Sequence, residues 1–144
     1  MELQDCIKFA NTHPVCFIAT MDGNQPRVRT VLQVSADESG FYYALLSMKQ
    51  VSRQLKANPK MEVCYYNNPP NLGEARQMRV TGEAELLKDP ALITKVAHDR
   101  AFLEQILGQP LEPLVEVWRI SHGDAHFWTM ADVGKELQLE HLKF

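Results

Sequence analysis

Two arginines, Arg27 and Arg29, stand two positions apart in a segment at 26–34 that has the composition of a strand. Residues i and i+2 of a strand project from the same face, so the two guanidinium groups are expected to lie side by side. Like charges tolerate this best when an anion or a carboxylate lies between them, and the planar guanidinium fork suits phosphate oxygens. The pair therefore indicates either a phosphate-binding site or a solvated strand face with acidic neighbours.

A second candidate anion site is the start of a short helix predicted after residue 46. Ser47 followed by Gln50 has the form of a capping box, and Lys49 and Arg53 place two positive charges near backbone N–H groups that lack helical partners. A cation in a first turn opposes the helix dipole, so Lys49 is better explained if an anion lies between it and those amides. An ordinary exposed helix is the alternative.

Other polar side chains carry weaker signals. Gln77 lies on the polar face of a predicted strand, and its amide can both donate to and accept from a heterocycle edge. Trp128 is of a type found more often in cores and interfaces than stacked on cofactors. His122 and His126 are four positions apart, but a turn is predicted between them and no third ligand is evident, so no metal site is predicted. No side chain is predicted to act as a catalytic acid, base or nucleophile.

The elements that must position these residues are mostly strands. Apolar and aromatic runs predict strands at 15–21, 26–34, 41–45, 61–66, 76–86, 115–121 and 125–130. The last two are expected to form a hairpin around His122-Gly123-Asp124. Helices are predicted at 3–10, after residue 46, and from Asp89-Pro90 to Gly108 with a break near Asp99-Arg100. The pattern predicts a mainly β protein: an antiparallel barrel with peripheral helices, in one domain over residues 1–144.

Composition excludes several classes of protein. The formal net charge of −3 gives no reason to expect nucleic-acid coating or an anionic membrane partner, and no apolar run is long enough to cross a bilayer. Neither a Rossmann nor a P-loop glycine motif occurs. Cys6, Cys16 and Cys64 are too few and too scattered for a disulfide framework and are interpreted as reduced thiols, as in a cytoplasmic protein.

Three segments carry a family resemblance that runs in order over residues 3–130: FIATMDGNQPRVRTV at 17–31, LKANPKMEVCYY at 55–66 and RQMRVTGEAELL at 76–87. They resemble the FMN-binding proteins of the pyridoxamine 5′-phosphate oxidase-like superfamily. In that superfamily an arginine after "AT-x-D-G-x-P" contacts FMN, and Arg29 occupies its place. The glutamine of the "RQVRVEG" strand contacts the flavin, and Gln77 stands at that position.

The resemblance implies an antiparallel split β-barrel that forms a homodimer, with FMN in a groove between two identical protomers. It implies that basic residues hold the phosphate and that Gln77 contacts the ring. With FMN as the cofactor, Trp128 is expected to wall the pocket. The expected cofactor-binding residues are Arg27, Val28, Arg29, Leu45, Lys49, Gln50, Gln77 and Trp128.

The chain departs from the oxidase itself at several of these places. An Arg-Lys pair that holds the phosphate corresponds to Gln50 and Val51, which leaves Lys49 as the nearest substitute. The Tyr-Thr pair that ends the preceding strand of the oxidase corresponds to Ala44-Leu45, so only backbone contacts with FMN can be expected there. The second-strand lysine of the oxidase corresponds to Val34, so one phosphate ligand is replaced by an apolar residue.

Residues 127–144 also contain no counterpart of the motif that grips pyridoxal phosphate in the oxidase. We therefore expect an FMN-dependent oxidoreductase with a different substrate, similar to short members such as general-stress proteins and nitroimidazole-resistance-type reductases. One alternative is a protein that holds flavin or haem without turnover, for which His98, His122 and His126 are the candidate haem residues. The other is a stress-related dimer with a vestigial site.

Overall fold

The computed structural model describes residues 1–144 and consists of nine strands with helices at their edges. The strands are β1 Val15–Asp22, β2 Gln25–Asp37, β3 Gly40–Leu46, β4 Lys60–Tyr66, β5 Arg76–Glu83, β6 Glu85–Leu87, β7 Val115–Ile120, β8 Gly123–Thr129 and β9 Leu142–Lys143. The helices are α1 Leu3–Thr12, α2 Gln50–Ala57, α3 Pro90–Asp99 and α4 Leu103–Leu107, with 3₁₀ turns at 72–74, 112–114, 130–132 and 136–138. All strand pairs are antiparallel, in the order β6-β7-β3-β2-β1-β4-β5-β8-β9, and the predicted split barrel is confirmed.

Alternation along the strands decides which side chains face the barrel interior. In β1, Cys16 and Ile18 are buried while Phe17 between them is exposed. In β5, Met78 and Val80 are buried, as the alternating sequence predicts. These strands therefore have one buried and one exposed face, as predicted. The interior side chains of β1, β4, β5 and β8 form one core with α1 and α2.

The barrel closes through a bent ribbon made of residues 76–87 and 117–129. β5 pairs with β8, from Arg76 opposite Thr129 to Gly82 opposite Gly123, and β6 continues by pairing with β7. In one half of this ribbon β5 also pairs with β4, and in the other half β7 also pairs with β3. The ribbon therefore connects the two ends of the sheet.

Two sequence expectations fail in this ribbon. The predicted final hairpin is wrong, because 115–121 pairs with β3 and β6 whereas 125–130 pairs with β5 and β9. The predicted continuous strand at 76–86 is also interrupted at Ala84, whose N–H donates to the Pro59 carbonyl at 2.8 Å instead of to a ladder partner. The outer partners of the two segments differ on the two sides of the bend: β5 and β8 also pair with β4 and β9, whereas β7 also pairs with β3. A local pattern of apolar residues does not encode such a change.

Of the two helix starts predicted from capping residues, that of α3 is confirmed and that of α2 is wrong. The Asp89 carboxylate accepts a hydrogen bond from Leu92 N–H at 3.2 Å, so the predicted cap of α3 is confirmed, as is the break after Asp99. The predicted capping box of α2 is wrong: Lys49 is the N-cap and Ser47 precedes the helix. A turn in which Lys49 N–H donates to the Leu46 carbonyl delays the helix. None of the helices is both long and apolar enough to span a lipid bilayer.

The C-terminal tail returns to the barrel. β9 pairs with β8, and the Phe144 ring lies edge-on to Phe41 with the ring centroids 5.4 Å apart. The three cysteines are free, and burial raises the pKa of the Cys16 thiol to about 12.

The bend of the ribbon leaves no room for a side chain at two facing glycines. A Cβ at Gly123 would lie 2.0 Å from the Thr81 carbonyl oxygen, and one at Gly82 would lie 2.6 Å from the His122 carbonyl oxygen. We expect Gly123→Ala to lower the free energy of unfolding by about 2–3 kcal/mol, because backbone must move to admit the methyl group. Urea unfolding followed by circular dichroism measures the change.

Gly73→Ala is the matched control, because its nearest neighbour would be the Asn71 side chain at 3.4 Å. It should change the same quantity by less than about 0.5 kcal/mol. Equal effects of the two substitutions would contradict a special role for the bend.

Candidate functional site

Arg27 and Arg29 project from the same face of β2, as predicted, and differ in their surroundings. Arg27 is exposed and lies near a carboxylate, with its Nε 3.4 Å from an oxygen of Asp22. Arg29 is partly buried, and its guanidinium donates to Thr20 Oγ1 at 2.7 Å and to Gln54 Oε1 at 2.6 Å. The Thr20 hydroxyl also donates to Gln54 Oε1, at 2.7 Å. These contacts hold the Arg29 guanidinium against α2.

Arg29 has no carboxylate partner. Its acceptors are Thr20, Gln54 and the backbone carbonyls of Ile18 and Arg27, all of which are neutral. Burial lowers the pKa of the Arg29 guanidinium, and the positive charge of Arg27 lowers it further. A partly buried cation in neutral surroundings is poorly compensated, so this point in the structure favours an anion.

Lys49 and Gln50, the N-cap and first residue of α2, are both exposed. Gln50 is one turn before Gln54, so the two share a face of α2, and Gln54 is the residue that Arg29 contacts. The side chain of Leu45 is buried, with 3% exposed, which leaves only its backbone for contact with a ligand.

An apolar cleft of about 210 Å³ lies beside this region, between β2, β3 and the helices α3 and α4. Lys49, Leu45 and Arg100 line it together with apolar side chains that include Leu32, Leu46 and Leu103. Its volume is below the range of roughly 300–1,000 Å³ that is usual for sites of drug-sized ligands. This cleft by itself is therefore too small for a ligand of that size.

Gln77 and Trp128 stand directly opposite each other on β5 and β8. Both are half-buried, and the Gln77 side-chain oxygen Oε1 accepts a weak hydrogen bond from the Cys64 thiol at 3.6 Å. Their neighbours along the strands, Met78 and Phe127, form the adjacent pair that faces the interior. Gln77 and Trp128 are therefore on the outer face of the sheet.

The predicted site residues fall into two separate groups. Arg29 aligns across the sheet with the buried pair Ile18 and Val63, and so belongs to the inner face. Gln77 and Trp128 belong to the outer face, as does Val28, which is 70% exposed. One chain thus brings Arg27 together with Arg29, and Gln77 together with Trp128, but it does not bring the two pairs together.

Sequence reasoning missed Thr20 and Gln54, although a polar residue at an inward-facing strand position is a signal for the first. It also missed a cluster of Asp124, His126 and His141. Burial lowers the pKa of His126, with His141 and Arg79 adding to the effect. His122 does not join this cluster, and the side chain of His98 is 89% exposed beside Asp99.

These features define a split β-barrel with a cationic pocket at one helix start. A family model described as pyridoxamine 5′-phosphate oxidase matches residues 3–129, and the chain belongs to that family. A search of curated proteins returned no match.

Solved structures share the fold at low sequence identity. A NimC/NimA-family protein from Clostridium acetobutylicum is 20% identical with a TM-score of 0.73, over 98% of this chain and 91% of that one. General Stress Protein 26 from Bacillus anthracis is 16% identical with a TM-score of 0.72, over 100% of both chains. The haem-storage protein HutZ from Vibrio cholerae is 18% identical with a TM-score of 0.64, over 90% and 95%.

The contacts of Gln54 generate a prediction about the pocket. Gln54→Ala removes the acceptor shared by Arg29 and Thr20, and we expect it to lower the free energy of unfolding by about 2–3 kcal/mol. Chemical denaturation measures this. Gln50→Ala, one turn earlier and exposed, should cost less than about 0.5 kcal/mol. If Gln54→Ala cost no more than Gln50→Ala, the contacts would not fix Arg29.

Proposed function

We propose that this protein is an FMN-dependent oxidoreductase that holds its flavin between two identical protomers. The observation that carries the proposal is the Arg29 guanidinium, held against α2 without a carboxylate partner. A phosphate monoester supplies the missing negative charge and the acceptor oxygens that such a group prefers. Membership of a family that generally binds flavin supports the same ligand.

The residues near α2 have the charges that a flavin phosphate requires. Arg29 and Arg27 would bind phosphate oxygens from one side, and Lys49 would bind from the helix start, where the α2 amides also point outward. Val28, Leu45 and Gln50 would contribute backbone or edge contacts. The bound flavin would supply the redox chemistry, and the chain would supply position and electrostatics.

Gln77 and Trp128 would contact the flavin ring from a second protomer. They lie on the outer face of the sheet whereas Arg29 lies on the inner face, so one chain cannot present both groups to a single ligand. A symmetric homodimer places the outer face of one chain near the pocket of the other and completes two equivalent sites. The small volume of the apolar cleft is consistent with a site that requires both chains.

The substrate is proposed to differ from pyridoxamine 5′-phosphate. Residues 127–144 form the end of β8, two 3₁₀ turns and β9, and they lack the motif expected of that enzyme. The fold is shared with a NimC/NimA-family protein and with a general stress protein. Nitro compounds and quinones are therefore the substrates to test first, and a cytoplasmic location is proposed with them.

Haem binding without turnover is the second candidate, because a haem-storage protein shares the fold. The histidines offer it little support: His98 is exposed, and His126 is buried beside His141. His98, His126 and His141 are all absent from the lining of the apolar cleft. A Soret band in purified protein, with no flavin released on denaturation, would replace the flavin proposal.

The first experiment measures flavin retention. Purified protein mixed with FMN and passed through gel filtration should elute with flavin absorbance at about one FMN per protomer. Arg29→Ala should weaken FMN binding by about 1.5–3 kcal/mol, which is roughly 10- to 150-fold in Kd, because a charge-assisted contact is lost. Lys8→Ala, which removes an exposed charge on α1, should leave Kd unchanged. A wild-type protein that retains no FMN would refute the proposal.

The shared site is tested with mixed dimers. Chains carrying Arg29→Ala and Gln77→Ala are co-expressed with different tags, and the heterodimer is isolated. If the two groups come from different protomers, one of its two sites carries both changes and the other carries neither, so about half of the sites should bind FMN as the wild type does. If both groups came from one chain, every site would carry one change, and no wild-type binding would be recovered.

A further inference from the structure

Asp124, His126 and His141 form a compact cluster on the outer side of β8, away from the Arg29 pocket. The Nδ1 atom of His141 is 2.6 Å from an Asp124 carboxylate oxygen, and Nδ1 of His126 is 3.8 Å from the same oxygen. The two imidazole rings lie 4.4 Å apart between centroids. One ligand atom from each residue can be chosen so that all three lie within 4.8 Å of one another.

The strand register fixes this arrangement. Asp124 and His126 are two positions apart on β8 and so share a face. β9 pairs with β8 with Lys143 opposite Asp124 and Leu142 opposite Ala125, which brings His141, just before β9, next to His126. Two residues of the cluster thus belong to the barrel and one to the C-terminal tail.

His126 provides an independent observation that points to a ligand. Only 8% of this residue is exposed, and its Nδ1 atom is buried without a hydrogen-bond partner. A buried polar atom without a partner is destabilising, and this one points into the cluster beside two further ligand atoms. A cation bound among the three residues would satisfy it.

We propose that Asp124, His126 and His141 bind a divalent transition-metal ion of the Zn²⁺ class and so fasten the C-terminal tail to the barrel. Two imidazoles and a carboxylate are ligands that this ion accepts in tetrahedral sites, with a water in the fourth position. Bonds of about 2.0–2.2 Å place tetrahedral ligand atoms roughly 3.4 Å apart. The 3.8 Å pair must close slightly and the 2.6 Å pair must open, which the half-exposed His141 side chain permits.

Neighbouring charges compete with the ion but do not block it. The Lys143 ammonium lies 2.9 Å from the other oxygen of Asp124, and its side chain is 82% exposed, so it can swing into solvent. Arg79, opposite His126, is paired with Glu62. The Asp124 oxygen that faces the proposed metal is therefore in close contact only with His141.

Calorimetric titration of untagged, chelator-treated protein with ZnCl₂ tests the proposal. We expect one Zn²⁺ per chain, and a Kd that is raised at least tenfold by His126→Ala and by His141→Ala. His122→Ala is the matched control, since it removes an exposed histidine outside the cluster and should leave Kd unchanged. Lys143→Gln removes the competing cation and should tighten binding several-fold.

Thermal unfolding keeps the test valid if a variant folds poorly. Zn²⁺ at 100 times its Kd should raise the wild-type Tm by about 5 °C or more and leave the Tm of His141→Ala unchanged. Absence of stoichiometric binding, or equal loss of binding in His122→Ala and His141→Ala, would overturn the proposal. Because none of these readouts involves flavin, they stand or fall independently of the proposed function.

Discussion

Residues 76–87 and 117–129 pass each other as one bent antiparallel ribbon, and this pairing joins the two ends of the sheet. The bend is possible because Gly82 and Gly123 face each other where neighbouring carbonyl groups occupy the space of a side chain. Strand register is two-fold periodic, so fixing the ribbon also fixes which residues face inward. The separation of Arg29 from Gln77 and Trp128 follows from that register.

Two polar networks inside the barrel show how a structural network differs from a binding site. In the first, Tyr43 and Tyr65 share a hydrogen bond of 2.6 Å, Tyr65 donates to Gln33, and Gln33 donates to Asn11. Burial raises the pKa of both tyrosines, so every member is neutral, and the network ends on the Ala36 carbonyl. It needs no further partner.

The second network, from Thr20 and Gln54 to Arg29, contains a full positive charge and no negative one. Neutral acceptors orient a guanidinium but leave most of its charge uncompensated. Gln54 also keeps a buried Nε2 without a partner. The contrast with the tyrosine network is the physical reason to assign a ligand to this pocket and not to the other.

The sequence predicts the parts of this molecule that depend on local patterns. Alternation placed Arg27 and Arg29 on one face and Gln77 on a polar face, and Asp89-Pro90 marked a helix start. Pairing between distant segments was not predictable in this way, so the final hairpin was wrong. Gln54 and His141 were missed for the same reason, because their importance comes from partners 25 and 17 residues away along the chain.

The same ribbon positions both groups of the proposed flavin site. β7 also carries Glu116, one residue before the ribbon segment 117–129. The Glu116 carboxylate accepts a hydrogen bond from Ser52 and pairs with Lys56, so it fixes α2. α2 in turn fixes Arg29 through Gln54. The β5–β8 half carries Gln77 and Trp128 on the outer face. Since both groups are tied to the same ribbon, their separation is set within each chain.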